Sequence, residues 1–303
     1  MTDAIRRESA REQTLYRVRE VRERRALEAR LSDDRAFSAY ALGHLEPELL
    51  TWARYWTADG PGGQATVMHA RALGSVVVTV GDPEGVSAIL ATHPGLRSAY
   101  LSTATPEQLP AISRTHFVTD TLQMMRMSVT SFEFQDVGGE VRRLRGADAP
   151  RINTLYATDG NPSRYTAETI ERAVYYGAFE GERLVAVAGT HIVSPHQSLA
   201  VVGNVFTHPS HRGRGFATRV TGAVTRALLD GGCSQAVLTV DPKNTPAVAA
   251  YSRLGYRQGA PVVEARLQRR DTFGITPAWR RYLARRRGRS LGDGIELVAP
   301  PRD

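Results

Sequence analysis

The sequence predicts an α/β (α+β) protein built of two lobes, and three observations carry that expectation. Helix-like and strand-like patterns alternate along the chain instead of segregating into blocks. A polar, glycine-bearing stretch, Asp136-Val137-Gly138-Gly139-Glu140, punctuates the middle. The 303 residues exceed one average domain, and 42% hydrophobic with 23% charged residues suffices for two ordinary cores.

Taken in order, residues 1–30 read as a charged helical arm, because Arg19/Glu23 and Glu20/Arg24 have i,i+4 spacing. From Leu31 to Val137 the expected elements are a helix over Ser38–Leu50, then paired strands over Gln64–Ala72 and Ser75–Val80. A helix over Pro83–Ala91, a strand over Ser98–Ser102 and a helix over Pro106–Thr115 follow. His69, His93 and His116 lack metal-ligand spacing and read as structural, so the domain 31–137 shows no legible active site.

The second domain, 138–270, opens with a short strand (Val141–Leu144) and helices near Ala147–Tyr156 and Ala167–Val174. Strands over Tyr175–Phe179 and Leu184–Val193 turn through Glu180-Gly181-Glu182, and a third strand spans Leu199–Thr207. After a loop, Phe216–Leu229 is helical and ends at Gly231-Gly232. A strand over Ala236–Val240, a helix over Pro246–Leu254 and a strand reaching Gln268 complete it. Residues 271–303 form an Arg-rich tail with one helix, Pro277–Arg287, expected to turn Trp279, Tyr282 and Leu283 inward.

Composition excludes several classes. Cys233 is the sole cysteine, so neither an intrachain disulfide nor a thiolate metal cluster can form, which favours a reducing compartment. The N-terminus has no signal-like apolar region, and the apolar runs are strand-sized, so the expected location is cytoplasmic, with no membrane partner. The net charge is +8, which suggests nucleic acid. Lys243, however, is the only lysine, an arginine bias that a GC-rich genome produces, and the excess lies at the two ends. No nucleic-acid partner is therefore expected. The alternative is an Arg-rich tail (Arg280, Arg281, Arg285, Arg286, Arg287 and Arg289) that binds with strong salt dependence.

The informative segment is strand, then Arg212-Gly213-Arg214-Gly215-Phe216-Ala217, then helix. A diphosphate needs several converging donors, and turn N–H groups plus the first N–H groups of a helix supply them without bulk. Gly213 and Gly215 permit unusual dihedrals and close approach, Ala217 is small, and Arg212 and Arg214 add charge at the rim. The Rossmann spacing and the Walker Gly-Lys-Ser/Thr are both absent.

The Arg-x-x-Gly-x-Ala spacing resembles the acyl-CoA pyrophosphate signature of the GNAT superfamily. The preceding strand Val201–Thr207 with His208-Pro209 extends the likeness, as does Asn244-x-x-Ala247-x-x-x-Tyr251-x-x-x-Gly255-Tyr256. The resemblance covers residues 141–268 and is closest to the glycine-N-acyltransferase-like branch, whose members carry a degenerate N-terminal lobe. It implies tandem GNAT-like lobes, each a mixed, mostly antiparallel sheet flanked by helices. It also implies acetyl-CoA as acyl-donor cosubstrate, with no metal. Asn204, Val205, Phe206, Thr207, Arg212, Gly213, Arg214, Gly215, Phe216, Ala217, Thr218 and Asn244 would then contact the cosubstrate.

The same likeness implies that the strand bulges at Asn204–Phe206 and offers N–H groups to the pantetheine and the thioester carbonyl. Tyr251 occupies the place of a tyrosine that protonates the leaving thiolate; packing against the sheet is its plainer role. Asn244 is either a CoA contact or an N-cap. The strand glutamate that serves some relatives as base is missing, which leaves His191, a structural histidine there, or a water relay; His208 would shape the turn and Glu180 be solvated. The expected acceptor is a small-molecule primary amine, and the chain a monomer or homodimer. Acetylation of a protein amine and a non-catalytic acyl-CoA sensor remain as rivals. Asp82, Pro83 and Glu84 in the corresponding turn of the first lobe would repel a diphosphate and remove a donor.

Overall fold

The computed structural model describes residues 15–72, 74–160 and 164–301. The chain forms two compact units: Met1–Leu42 with Pro47–Gln123 and Pro261–Asp303, and Gly43–Glu46 with Met124–Ala260. Compactness thus divides the chain elsewhere than at Asp136–Glu140. The passage falls inside one long strand going out (His116–Thr130) and another coming back (Arg257–Arg269).

In the first unit the elements are β1 (Tyr16–Val21), α1 (Arg24–Leu31), α2 (Ala39–Gly43), α3 (Pro47–Leu50), β2 (Ala53–Gly60), β3 (Gly63–Ala70) and β4 (Val76–Gly81). Next come α4 (Pro83–Thr92), β5 (Ser98–Thr103), α5 (Gln108–Ser113) and the start of β6 (His116–Thr130). The expected arm is therefore not helical throughout. Tyr16 and Val18 are buried while Arg17 and Arg19 face out, so period-two burial outweighs the i,i+4 charge pairs. Glu20 accordingly pairs with Arg54 of β2 instead of Arg24. The part of the arm at 1–14 lies outside the described residues.

Residues 271–303 are not a separate tail. Their α10 (Ile275–Gly288) and β13 (Glu296–Val298) belong to the first unit, where β13 pairs antiparallel with β1 (Tyr16 with Val298). Pro277, Ala284 and Gly288 are the buried positions of α10, whereas Trp279 and Tyr282 are exposed and stacked on each other at 5.6 Å. The expected inward aromatic face is thus turned out, because a glycine and an alanine allow the helix backbone to approach closely: a Cβ on Gly288 would meet the Ile295 carbonyl at 2.2 Å.

The sheet of the first unit runs β13-β1-β2-β3-β4-β5-β12, with β12 the strand Arg257–Arg269. Among the described residues its strand pairs are antiparallel except β4 with β5. Val67, Val77, Ile89, Leu90 and Leu101 fill its core.

The second unit contains β7 (Arg142–Arg143), α6 (Ala149–Ala157), α7 (Ala167–Arg172), β8 (Tyr176–Glu180), β9 (Arg183–Ser194), β10 (Leu199–Thr207), α8 (Phe216–Asp230), β11 (Gln235–Val240) and α9 (Thr245–Arg253). Its sheet runs β6-β11-β10-β9-β8-β7, again with one parallel pair, β10 with β11. Both units are therefore mixed, mostly antiparallel sheets with helices alongside. α8 packs Phe216, Val220, Val224 and Leu228 into a core with Val202, Leu238 and Leu254. The segment Gly43–Glu46 is held in this unit by the Glu46 carboxylate, which accepts from Ser194 Oγ (2.6 Å) and from the His196 N–H (2.9 Å).

Candidate functional site

β10 and β11 pair only at Leu199–Val201, so along residues 202–207 the β11-facing edge of β10 meets no strand among the described residues. On its other side the register with β9 breaks between Gly203 and Phe206, where Asn204 takes φ +53°. Such a bulge re-aims backbone groups and opens a gap between the diverging strands.

The turn that follows is shaped by His208, whose Nδ1 accepts the Ser210 N–H at 3.2 Å and caps the short 3₁₀ turn Pro209–His211. Gly213 (φ +77°) and Gly215 (φ +78°) are both left-handed, and a Cβ on either would meet nothing within 4 Å. Backbone conformation and an open approach, not crowding, thus select glycine here. Gly215 is the N-cap of the 15-residue α8 and provides no capping side chain, and the first turn carries no acid. The N–H groups of Phe216, Ala217 and Thr218 therefore open a helix whose positive end faces no carboxylate of its own. Such converging donors suit a phosphate.

The side chains of this loop are less free. Arg212 pairs with Asp159 (3.4 Å) and Arg214 with Glu180 (2.5 Å), while Glu180 also takes His211 Nε2 at 2.9 Å. Glu180 is thus exposed in its turn, as expected, and is an ion-pair partner as well; the hydrogen bond from His211 and then the Arg214 charge hold its pKa down. Phe216 is a core anchor with Arg214 and Arg219 over its ring, and Thr218 is buried. Their share in any ligand contact is the backbone.

Asn204 reaches elsewhere. Its Nδ2 donates to Tyr175 Oη (2.8 Å), its carbonyl accepts from Tyr156 Oη (2.8 Å), and its Oδ1 lies 3.2 Å from His191 Nε2. With Nδ2 committed to the tyrosine, Oδ1 is an acceptor, so His191 carries its proton on Nε2 and presents the lone pair at Nδ1. His191 keeps solvent-accessible surface, yet the surrounding protein lowers its pKa by desolvation, and Arg126 adds a smaller effect of the same sign. The ring lies across Gly203, where a Cβ would sit 2.4 Å from Nε2. Val205 packs on the main core, and Phe206 rests 4.9 Å from the Tyr156 ring. The Thr207 hydroxyl is buried without a partner among the described residues.

On the α9 side, Asn244 Oδ1 accepts the Ala247 N–H at 3.2 Å, so its carbonyl is used in capping the helix. Tyr251 is 7% exposed within the core, yet its hydroxyl makes no hydrogen bond among the described residues. Burial pushes its pKa up to about 12. Sequence reading missed Tyr156, Tyr175 and Gly203. The tyrosines come from separate segments with no shared spacing, whereas a glycine inside a strand does signal close approach.

The comparisons agree with this geometry. Residues 145–256 match the sequence profile of the family described as Acetyltransferase (GNAT) family. A mycothiol acetyltransferase from Catenulispora acidiphila is 35% identical over 95 residues, covering 29% of this chain and 30% of its own. The chain thus matches about a third of the length of that curated relative. Two solved structures share the fold. A Drosophila protein has a TM-score of 0.53 at 17% identity, over 80% of this chain and 87% of its own. A GCN5-related N-acetyltransferase-like protein from Streptococcus suis has 0.51 at 13%, over 82% of this chain and all of its own. No helix of the described residues is long and apolar enough to cross a membrane.

Proposed function

We propose that the chain is an N-acyltransferase that moves an acetyl group from acetyl-CoA to a primary amine of a small molecule. The observation that carries this reading is the helix that begins at Gly215 without a capping side chain, directly after a strand that parts from its parallel neighbour. Backbone N–H groups from Gly213 to Thr218 would take the pyrophosphate, and the free edge of β10 would take the pantetheine amides and the thioester carbonyl. That the acceptor is small is supported by the name of the mycothiol acetyltransferase relative. The first lobe is read as a degenerate GNAT-like partner, as in the glycine-N-acyltransferase-like branch.

In the reaction the amine nitrogen attacks the thioester carbon, forming the C–N bond and a tetrahedral oxyanion. His191 Nδ1, directly or through water, accepts the ammonium proton. The C–S bond then breaks, and the thiolate takes its proton from Tyr251 Oη. With its pKa near 12, Tyr251 stays protonated throughout the neutral range. A typical thiol titrates near ~8.5, so full transfer is uphill and the phenol acts first as a hydrogen-bond donor to sulfur.

Incubation with acetyl-CoA and a panel of primary amines should release free thiol at a rate that depends on the amine. Tight CoA binding with no thiol release above background for any amine would instead make the domain an acyl-CoA sensor.

A further inference from the structure

A cavity of about 550 Å³ is lined wholly by residues of the first unit and shares none with the Gly213–Thr218 loop of the second. It opens at the end of β3 and the start of β4, around Arg71 and Ser75–Val77. The turn that enters α4 leaves the opposite end of β4, at Gly81-Asp82. The volume falls in the range of small-molecule sites.

Four arginines line the cavity, Arg54, Arg71, Arg269 and Arg281, together with His69 and His93, and no aspartate or glutamate does. Only one of the four is neutralised: Arg54 makes a two-pronged pair with Glu20 at 3.0 and 2.8 Å. Arg269 donates to the carbonyls of Asp271, Gly95 and Thr272, and Arg281 to that of Thr92. The Arg71 side chain has no partner among the described residues. Nearby acids are engaged elsewhere. The Asp271 carboxylate accepts from the N–H groups of Phe273, Gly274 and Thr276, and Glu296 holds His93 and Arg285. Three guanidinium groups thus face one cavity with no carboxylate partner, an arrangement that like-charge repulsion disfavours until an anion is present.

The rest of the wall is flat and apolar. Trp56 is buried and stacked on His93 at 3.4 Å, and the Arg54 guanidinium lies over the Trp56 ring, 5.1 Å from its centroid. Trp52 and Phe273 stand 61% and 86% exposed at the rim, with no ring partner of their own. His69 donates Nε2–H to the His93 carbonyl, and its Nδ1 is buried without a partner.

We propose that this cavity binds a small organic anion, whose carboxylate or phosphate is taken by Arg71, Arg269 and Arg281 and whose flat ring lies against Trp52 and Phe273. Arginine forks match both head groups, and exposed aromatic faces gain most from a flat partner.

All three tryptophans of the chain lie in the first unit, so their fluorescence reports on ligand there. The full chain is titrated with phenyl phosphate, benzoate, inorganic phosphate and phenol. Saturable binding of phenyl phosphate, of benzoate, or of both is expected, and whichever binds fixes the head group. Phosphate and phenol, each half of the ligand, should bind at least about tenfold more weakly. Arg71→Glu and Trp52→Ala alter exposed side chains, so the fold should survive, and each should weaken binding about tenfold or more. Absence of saturable binding by both ring anions overturns the proposal. So does binding that both variants leave unchanged, or phosphate or phenol binding as tightly as phenyl phosphate.

Discussion

The two units solve the same local problem in opposite ways. Each has a parallel strand pair in an otherwise antiparallel sheet, and each leaves the first of those strands by a left-handed glycine into a helix. In the second unit, Gly215 leaves the helix start bare. In the first, Gly81 (φ +91°) packs against the Gln64 carbonyl, and Asp82 caps α4 by accepting the Gly85 N–H at 2.7 Å. Tyr16 Oη donates to the same carboxylate at 2.5 Å, and Glu84 in the first turn pairs with Arg114. One helix start is left open to an external anion, whereas the other carries its own. The difference teaches that a strand–turn–helix likeness is no evidence of ligand binding until the capping group is known.

The sharpest way to break this comparison is to close the open end. Gly215→Glu should abolish acetyl-CoA binding, since it places a carboxylate at the anion position. Calorimetric titration should give one CoA site in the parent chain, none in this variant and still one in Asp82→Ala. Two equivalent sites in the parent would dissolve the contrast.

Next in size is Tyr251→Phe, which should lower turnover by about 10²-fold with CoA affinity nearly unchanged. A variant that melts early but turns over normally would return Tyr251 to a packing role.

Smaller still is the loss of the built-in cap. Asp82→Ala should cost about 1 kcal/mol of stability in a denaturant melt, because the Gly85 N–H and the Tyr16 hydroxyl both lose their acceptor. No loss at all would mean that the capped end is not what stabilises α4.

The gentlest probe is pH. Burial, chiefly desolvation, pushes His69 and His116 of the first unit down to about 4 from an ordinary 6.5. The unfolded chain therefore takes up protons first, so the stability these histidines contribute is complete above about 6.5 and is lost as pH falls toward 4. Hydrogen exchange across that window should loosen β3 and the start of β6 in the first unit; unchanged protection there would contradict the assignment.

Much of this was legible in the residues. Strand Leu199–Thr207 and the helix from Phe216 were expected where they occur, because a β-branched run and a glycine-flanked amphipathic run carry strong local signals. Three strands, β2, β6 and the three-residue β13, escaped notice. β2 has only Tyr55, Trp56 and Thr57 as clear strand formers, and β6 buries its side chains mainly at its two ends, with an exposed middle that breaks any alternation. At the site, the turn at Gly213 and Gly215 could be read because glycine announces left-handed backbone. The His191–Asn204–Tyr175 network could not, because its members meet only after β9, β10 and the chain before β8 are assembled.

The crossing of the chain inside β6 and β12 also dictates an order of assembly. On a ribosome, all of the second unit has been synthesised by Ala260, while the first still lacks most of β12, all of α10 and the β13 partner of β1. Its earliest strand must wait for nearly the whole chain before its outer edge is paired, a long loop to close and an exposed hydrogen-bonding row in the meantime. The lobe begun first is finished last. A premature stop after residue 260 would therefore leave the second unit whole and undo the lobe that was translated before it.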